Sequence, residues 1–234
     1  MNVLAIDTST KALSVAVLQD GRVLAEYTTH LKTTHSVQCM PAIAHLLKEC
    51  GLSPQDLSRI AVAEGPGSYT GLRIGVTIAK SLAWSLGIPL VGVSSLDVLA
   101  MTGRGASGLI VPIIDARRGQ AFTNVYRGFV DGKMDKLYED QLMDCGELVA
   151  QLQSGNEPVL VIGADIPTHE ETFVHGLGDR VTFAKEENRL PRAILLGLLG
   201  IKKEPCENIH QFVPKYARLA EAEVNWNARQ GKAE

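Results

Sequence analysis

The length, composition and charge of the chain exclude several classes of protein. It has 234 residues, 45% of them hydrophobic, and a formal net charge of −3 at pH 7. This is enough apolar sequence to bury one large core or two small ones. The Lys and Arg residues are scattered, so the chain lacks the basic stripe of a stand-alone nucleic-acid-binding protein. Any RNA partner would therefore need a second subunit to help bind it.

Cysteine usage and hydropathy predict the compartment. Cys39, Cys50, Cys145 and Cys206 show no CxxC or Cys/His metal-ligand spacing, and "MNVLAID" reads as a strand, not as a signal peptide. No apolar run approaches the length needed to span a bilayer. We therefore expect a reduced, cytoplasmic protein without membrane contact.

Two segments of the chain have the same predicted order of strands and turns. The first, "NVLAIDTSTKALSVAVLQDGRVLAEY", reads as a strand ending in Asp7, a polar turn, a second strand and a hairpin turn at Asp20–Gly21. The second, "LIVPIIDARRGQAFTNVYRGFVDGKMDKLY", has Asp115 in place of Asp7 and Asp131–Gly132 at its hairpin. The alternative is that two short hairpins resemble each other by chance.

The similarity extends beyond the hairpins. Helix-and-strand material follows each copy, so the pattern predicts two mixed α/β lobes related by duplication. The junction falls near "TGRGASG" (102–108), which places the N-terminal lobe at 1–103 and the C-terminal lobe at 104–234.

The twelve residues from Glu64 to Gly75, "EGPGSYTGLRIG", look like a phosphate-binding loop. The dinucleotide pattern GxGxxG needs glycine where Thr70 stands, and no glycine in the stretch begins a Walker pattern. Both templates therefore fail. The stretch instead supplies a strand end, a tight turn and an N-cap, at Ser68 or Thr70, for a helix that Gly87 ends.

That helix has two contrasting faces. One face is a ridge with no side chain larger than a methyl group, formed by Gly71, Gly75, Ala79 and Ala83. The opposite face is polar apart from one aromatic residue, and it holds Arg73, Thr77, Lys80, Ser81 and Trp84. The ridge predicts a close approach of another backbone, and Trp84 either packs under Lys80 or awaits a partner.

The preceding helix is predicted to begin near Thr33 or Thr34 and to bend at Pro41. Its core-facing arc is predicted to consist of Val37, Met40, Ile43, Ala44 and Leu47. The arc is wider than a helix lying on a sheet requires, because it extends to Cys39, Leu46 and Cys50. Two interpretations remain: a well-buried core helix, or a face that joins the next helix in binding a second protein.

The segment "EGPGSYTGLRIGVTIAKSLAWSLGIPLVGVSSLDVLA", with "AIDTST" before it and "YARLAEAEVNW" after it, resembles the TsaB (YeaZ) family. Members support the formation of N6-threonylcarbamoyladenosine at position 37 of tRNAs that read ANN codons. The resemblance implies an α/β fold of two duplicated RNase H-like lobes, of the actin, sugar kinase and Hsp70 ATPase type. It also implies a heterodimer with the paralogous enzyme TsaD through the N-lobe helices, which the ATPase TsaE joins.

The resemblance places the partner-binding surface on the two N-lobe helices. The residues predicted for it are Cys39, Ile43, Leu46, Gly71, Gly75, Ala79, Ala83 and Trp84. Contact with tRNA is expected only through the complex. An unoccupied apolar face also makes a homodimer the expectation for the lone chain.

The chain departs from TsaD-like sequences where those carry a histidine pair at i, i+4 spacing for a metal ion. The matching segment reads "VGVSSLDVLA", with Ser95 and Leu99 at the two ligand positions. A hydroxyl is a poor ligand for a borderline metal, and leucine is none. We therefore expect no metal centre, which disfavours a metallopeptidase.

The nucleotide site of the fold also looks depleted. Kinases of this fold use a glycine pair in the second lobe, but "VIGADIPTHEE" has only Gly163, and "DARRGQ" has two arginines where small residues bind phosphate. Asp7 and Asp115 stand where such enzymes place magnesium-linked carboxylates, although capping of the hairpin turns is the simpler role. We therefore expect vestigial nucleotide-site positions, no cofactor and a non-catalytic partner subunit. The alternative is an ATP-dependent small-molecule kinase.

Overall fold

The computed structural model describes residues 1–31, 34–130 and 133–217. Five strands form the first sheet: β1 (Asn2–Asp7), β2 (Leu13–Gln19), β3 (Arg22–Thr29), β4 (Arg59–Gly65) and β5 (Leu90–Ser94). Their order in space is β3-β2-β1-β4-β5. The pairs β1–β2 and β2–β3 are antiparallel, whereas β4 runs parallel to both β1 and β5.

A second sheet repeats this path. Its strands are β6 (Leu109–Arg117), β7 (Gln120–Thr123), β8 (Tyr126–Val130), β9 (Lys133–Lys136), β10 (Gln141–Asp144), β11 (Val159–Ile162) and β12 (Val181–Phe183). The main order is β10-β7-β6-β11-β12, with β8 pairing to β6 and to β9. The strands β6, β11 and β12 are parallel, in the places that β1, β4 and β5 occupy in the first sheet. The predicted duplication is therefore present.

The second copy differs from the first in one respect that the sequence pattern did not reveal. The strand equivalent to β2 is broken into β7 and β8 around Asn124, whose side chain is buried. Asn124 Nδ2 donates to the carbonyl oxygen of Tyr138 and to Asp140 Oδ1, and its Oδ1 accepts from the Val125 amide. These bonds satisfy polar groups that the strand break would otherwise leave unpaired. The predicted turn at Asp131–Gly132 lies outside the described residues.

In the part of the chain that the structure describes, six α-helices cover the two sheets. They are α1 (His35–Glu49), α2 (Tyr69–Leu86), α3 (Ser95–Ala100), α4 (Cys145–Gln153), α5 (Ile166–Leu177) and α6 (Ala193–Lys202). Because successive side chains of a strand point to opposite faces, β1 places Leu4 and Ile6 among the buried side chains of α1 and α2. Val3 and Ala5 lie on the other face, with α6. The first sheet is therefore apolar on both faces.

The caps of α2 agree with the sequence. Ser68 Oγ accepts a hydrogen bond from the Gly71 amide at 3.2 Å, and Gly87 ends the helix with φ 64°. Helix α1 begins at His35, directly after its N-cap residue Thr34, and it contains Pro41. Thr33, the other predicted start, lies outside the described residues.

Helix α6 returns to the first sheet after the second lobe is complete. A Cβ added to Gly200 would lie 2.6 Å from Ala61 Cβ, so the helix approaches the sheet as closely as glycine allows. Arg59 Nη1 donates to the carbonyl oxygens of Gly200, Ile201 and Lys203 at 2.9, 3.1 and 3.1 Å. The guanidinium thus caps the negative end of α6.

The chain after α6 also stays with the first sheet. The Cys206 amide donates to the Leu90 carbonyl at 2.8 Å, and the Lys215 amide donates to the Glu64 carbonyl at 2.7 Å. This packing corrects the predicted division into 1–103 and 104–234. The described residues from α6 to residue 217 pack with the first lobe, because its sheet has a second apolar face that needs a helix. In the described part of the chain, no helix is both long enough and apolar enough to cross a membrane.

Candidate functional site

The small-residue ridge of α2 faces the chain's own β1–β2 turn. A Cβ added to Gly71 would lie 2.1 Å from the Thr8 carbonyl oxygen, and one added to Gly75 would lie 2.2 Å from Thr8 Oγ1. Ala79 and Ala83 are fully buried. The assignment of Gly71, Gly75, Ala79 and Ala83 to a partner surface is therefore wrong. The ridge does permit a close backbone approach, but it is Thr8 of the same chain that approaches.

Helix α1 is rotated relative to the predicted arc. Three residues assigned to the partner surface are buried against the first sheet, namely Cys39, Ile43 and Leu46. Val37 and Met40, which we expected in the core, are 65% and 43% exposed, and Ala44 is exposed too. The correction has a simple cause, because the core stripe runs through Cys39, Ala42, Ile43, Leu46 and Leu47. One face of this helix is therefore core, as the first interpretation predicted, and another face is apolar and exposed. Binding of a second protein by that face stays a prediction.

Trp84 is the one predicted partner residue that lies at the surface, with 67% of its side chain exposed. Its ring meets His210 edge to face, with centroids 6.1 Å apart. Lys80 Nζ donates to the carbonyl oxygens of His210 and Phe212 at 3.0 and 2.7 Å. Lys80 therefore fastens the segment after α6 across α2. Trp84, Ile88 and Cys206 line a cavity of about 390 Å³ at the end of α2.

Asp7 lies fully buried at the end of β1. Its Oδ1 accepts hydrogen bonds from the Ser9 amide and the Ser9 hydroxyl at 2.9 and 2.7 Å. The carboxylate therefore caps the turn between β1 and β2, which is the simpler of the two predicted roles. Its Oδ2 is buried without a hydrogen-bond partner among the described residues. Burial raises the pKa of the Asp7 carboxyl, and the Ser9 bonds oppose that shift only in part.

The equivalent position in the second lobe has a different environment. Asp115 Oδ1 lies 3.0 Å from Nε2 of the buried His169, and the Asp115 amide donates to Asp165 Oδ2 at 3.2 Å. Gly163 has φ 152°, and a Cβ there would lie 2.2 Å from the Ile113 carbonyl oxygen. Glycine is thus required at 163 for packing within the lobe. That requirement is independent of any nucleotide.

An ion pair spans the two lobes between the β1–β2 turn and the loop that leads from β11 into α5. Lys11 Nζ lies 3.0 Å from Asp165 Oδ1, and Asp165 Oδ2 holds the Asp115 amide. The cavity lined by Thr10, Lys11 and Asp165 measures about 10 Å³. Such a volume holds about one water molecule, whereas small-molecule sites need roughly 300 Å³ or more. Beside this ion pair, the cleft between the lobes is therefore too narrow for a nucleotide.

A second polar network joins the lobes at α3. Tyr126 Oη donates to Asp97 Oδ1 at 2.7 Å, and Lys136 Nζ lies 2.8 Å from Asp140 Oδ1. Ser94 Oγ donates to Asp140 Oδ2 at 2.5 Å. Burial, together with the Asp97 carboxylate, raises the pKa of the Tyr126 phenol. Tyr126 therefore stays a hydrogen-bond donor and fixes the second lobe against α3.

Ser95 and Leu99, the positions that match the histidine pair of TsaD-like sequences, are both buried on α3. Ser95 Oγ has no hydrogen-bond partner in the described residues. No three His, Cys, Asp or Glu side chains in the described ranges stand close enough to hold a metal ion. The four cysteines are all free thiols.

Sequence reasoning missed one group of exposed side chains at the start of α2. The rings of Tyr69 and Tyr216 lie with centroids 4.9 Å apart, and the Arg73 guanidinium carbon lies 5.3 Å from the Tyr69 centroid. Both tyrosines occur in the segments quoted above for the family resemblance. Nothing in the linear sequence indicates that the two rings meet.

The buried carboxyl of Asp7 leads to a prediction about pH. The pKa of the Asp7 carboxyl is higher in the folded than in the unfolded protein, so ionisation of Asp7 destabilises the fold. Below the unfolded pKa the carboxyl is protonated in both states, and folding carries no such cost. The cost in free energy of unfolding grows as the pH rises from the unfolded pKa to the folded pKa. Asp7→Asn keeps an acceptor for Ser9 but cannot ionise. We expect its melting temperature, relative to wild type, to rise as the pH is raised from about 4, near the unfolded pKa of an aspartate, towards neutral pH.

Circular dichroism melts across that pH range provide the measurement. Asp7→Ala is the control, because it loses the bonds to Ser9 and should be less stable at acid pH, where the wild-type carboxyl is protonated. A difference between Asp7→Asn and wild type that does not change with pH would contradict the assignment.

The strand order of each lobe and their duplication define a two-lobed α/β protein built from two similar mixed sheets. Residues 22–226 match the family described as "TsaD: tRNA N6-adenosine threonylcarbamoyltransferase". The chain is 47% identical over 226 residues to the tRNA threonylcarbamoyladenosine biosynthesis protein TsaB of Bacillus subtilis, covering 97% of this chain and 98% of that one. It is 37% identical over 129 residues to TsaB of Escherichia coli, covering 54% and 55% of the two chains.

Solved structures agree with these relatives. A Pseudomonas aeruginosa protein described as similar to peptidase YeaZ superposes with a TM-score of 0.79 at 27% identity, covering 93% of this chain and 99% of that one. YeaZ from Pseudomonas aeruginosa gives a TM-score of 0.77 at 27% identity, covering 92% and 99%. The chain therefore belongs to the TsaB (YeaZ) family.

Proposed function

We propose that this chain is a non-catalytic subunit that binds and supports TsaD in forming N6-threonylcarbamoyladenosine at position 37 of tRNAs reading ANN codons. The observation that carries the proposal is the combination of a closed cleft and an exposed apolar helix face on a member of the TsaB family. A catalytic member of this fold needs an open cleft for its substrate, whereas a supporting subunit needs an exposed surface that its partner can bind.

The cleft supports the non-catalytic part of the proposal. The ion pair of Lys11 with Asp165 crosses it, and Asp7 is used in a turn. The positions matching the metal ligands of TsaD hold a hydroxyl and an alkyl group, Ser95 and Leu99. Neither is suited to a borderline metal. We therefore propose that the chain needs no cofactor and acts through contacts alone.

The exposed face of α1 supports the partner-binding part. Val37, Met40 and Ala44 follow helical spacing and lie exposed beside the core stripe of the same helix. Trp84 adds an exposed aromatic ring on α2, a residue type enriched at the centres of interfaces. We propose that TsaD covers Val37, Met40 and Ala44, with Trp84 at the far end of α2.

Membership of the TsaB family also suggests the remaining components of the complex. TsaE joins the heterodimer, and the tRNA is bound by the assembly in the cytoplasm. In the absence of TsaD, the same apolar face is available to a second copy of this chain, so a homodimer is expected at high protein concentration.

Reconstitution with single subunits omitted tests the proposal. Purified chain, TsaD and TsaE are combined with tRNA, ATP and the threonylcarbamoyl donor, and the modified nucleoside is measured by mass spectrometry. We expect modification to require this chain, and the isolated chain to transfer no threonylcarbamoyl group and to hydrolyse neither ATP nor peptides. Turnover by the isolated chain that a chelator abolishes would instead indicate a metalloenzyme.

Isothermal titration calorimetry with Mg-ATP tests the remaining alternative, that the chain is a small-molecule kinase. The kinase interpretation needs binding by the isolated chain, whereas the closed cleft predicts no heat of binding at micromolar ligand. Micromolar affinity would overturn the non-catalytic assignment in favour of a small-molecule kinase.

A further inference from the structure

A pocket of about 390 Å³ opens at the carboxyl end of α2. Its apolar walls come from the end of α2, the turn into β5 and the segment after α6, and they include Ala83, Ile88, Pro89, Pro205 and Ile209. The Trp84 indole also lines the pocket and is 67% exposed. Because ligand sites begin at roughly 300 Å³, the pocket is large enough to hold a side chain or a small molecule.

The electrostatic environment of this pocket is negative. Glu207 is the one charged side chain among the described residues that line it. No cation in the described part of the chain forms an ion pair with Glu207. The pocket also lies where the dipole of α2 is negative, and the last turn of that helix holds no basic residue. The pocket therefore favours a positively charged ligand.

Two basic side chains stand close to the pocket without lining it. Lys80 Nζ is held by the carbonyl oxygens of His210 and Phe212 at 3.0 and 2.7 Å. The His210 ring meets the Trp84 ring at a centroid distance of 6.1 Å. Since two thirds of the Trp84 side chain is exposed, this contact leaves much of the indole surface open. Lys80 is thus committed to the segment after α6, and Glu207 is available to a cation from outside.

An indole and a carboxylate in one pocket are the chemistry that binds an arginine side chain. A guanidinium stacks on the face of an indole through a cation–π contact, and its planar fork donates two hydrogen bonds to one carboxylate. An ammonium group has no planar face to stack. A neutral apolar side chain would cover Glu207 without giving its charge a partner, which costs free energy.

We propose that this pocket receives an arginine side chain of the protein that covers α1 and α2, with the guanidinium on the Trp84 ring and against the Glu207 carboxylate. The inference rests on the proposed function, because it takes that protein to be TsaD. It goes further in naming the side-chain chemistry that TsaD supplies. It also adds Glu207, from the segment after α6, to the interface.

The first experiment tests the pocket on the lone chain. Nuclear magnetic resonance spectra follow the indole N–H signal of Trp84, which Trp84→Phe identifies, during titration with N-acetylarginine amide. N-acetylcitrulline amide has nearly the same shape but no charge, so it is the control probe. We expect the arginine probe to shift the Trp84 signal saturably at millimolar concentration and the citrulline probe to bind at least about fivefold more weakly.

The second experiment measures TsaD affinity at low and at high salt. Glu207→Gln keeps the size of the side chain and removes its charge. We expect it to weaken binding about threefold at low salt and less at high salt, because salt screens an exposed ion pair. Trp84→Leu removes the ring and keeps an apolar side chain, and we expect a loss of about fivefold.

Glu204→Gln is the matched control for the charge. Glu204 is an exposed carboxylate of the same segment that does not line the pocket. We expect its loss to leave both TsaD affinity and probe binding unchanged. Melting temperatures of all variants show that the fold is retained.

Saturable binding of the arginine probe, together with weaker TsaD binding by Glu207→Gln, supports the inference. An unmoved Trp84 signal, or equal binding of the two probes, overturns it and leaves the proposed function standing. Probe binding with unchanged TsaD affinity of both variants overturns it too, because the pocket then serves a cation other than a TsaD side chain. A wild-type chain that does not bind TsaD refutes the proposed function and the assignment of the arginine to TsaD.

Discussion

Replacing Gly71 by alanine is expected to lower the free energy of unfolding by about 1–3 kcal/mol, the usual cost of overpacking. The added Cβ would lie 2.1 Å from the Thr8 carbonyl oxygen, so backbone must move to admit it. The same contact includes a hydrogen bond from Thr8 Oγ1 to the Gly71 carbonyl at 2.7 Å, which resists that movement. A gain of up to about 1 kcal/mol in helix propensity offsets only part of the cost.

Urea denaturation of Gly71→Ala and Gly105→Ala measures the effect. Gly105 is the matched control, because a Cβ at that position meets no atom within 4 Å. At temperatures where Gly71→Ala remains folded, its affinity for TsaD should equal that of wild type. A variant of normal stability that has lost TsaD affinity would restore the ridge as a partner surface and contradict our correction.

The double variant Val37→Asp, Met40→Glu is expected to weaken TsaD binding at least tenfold. Both positions are largely exposed in the lone chain, at 65% and 43%, so the new carboxylates remain solvated and folding is unaffected. In the complex they would be buried without partners, and the cost of burying an unpaired charge exceeds the roughly 1.4 kcal/mol that corresponds to tenfold.

Surface plasmon resonance with immobilised TsaD provides the measurement. Val174→Asp is the control, because Val174 is 48% exposed on α5 in the second lobe. Trp84→Ala tests whether the interface reaches the far end of α2. Unchanged affinity of the double variant, with Val174→Asp weakened, would place the TsaD surface on the second lobe.

The sequence predicted those features that depend on local chemistry. The end of β1 at Asp7, the capping of the following turn and the Ser68 cap of α2 all follow from short-range patterns, and the structure has all three. The duplication of the lobes was visible as well, because strand–turn–strand patterns repeat in the linear sequence.

The sequence could not tell which part of the chain fills a given contact. The small residues on the ridge of α2 indicate that another backbone packs closely against it. They do not indicate whether that backbone belongs to Thr8 of the same chain or to a second protein. The rotation of α1 was missed for a related reason: its apolar residues cover more of the helix than the core stripe, so periodicity alone does not select Cys39 over Val37. The pair of Lys11 with Asp165 joins residues 154 positions apart, beyond any local pattern.

The return of α6 to the first sheet makes the second lobe an insertion within the first. During synthesis on the ribosome, the face of the first sheet that carries Val3 and Ala5 stays uncovered until residues 193–202 have emerged. The first lobe thus cannot complete its core until α6 has emerged, which is after the last strand of the second sheet, ending at Phe183, has been made. A fragment ending at residue 103 would keep five strands and expose an apolar sheet face, which makes aggregation its expected fate.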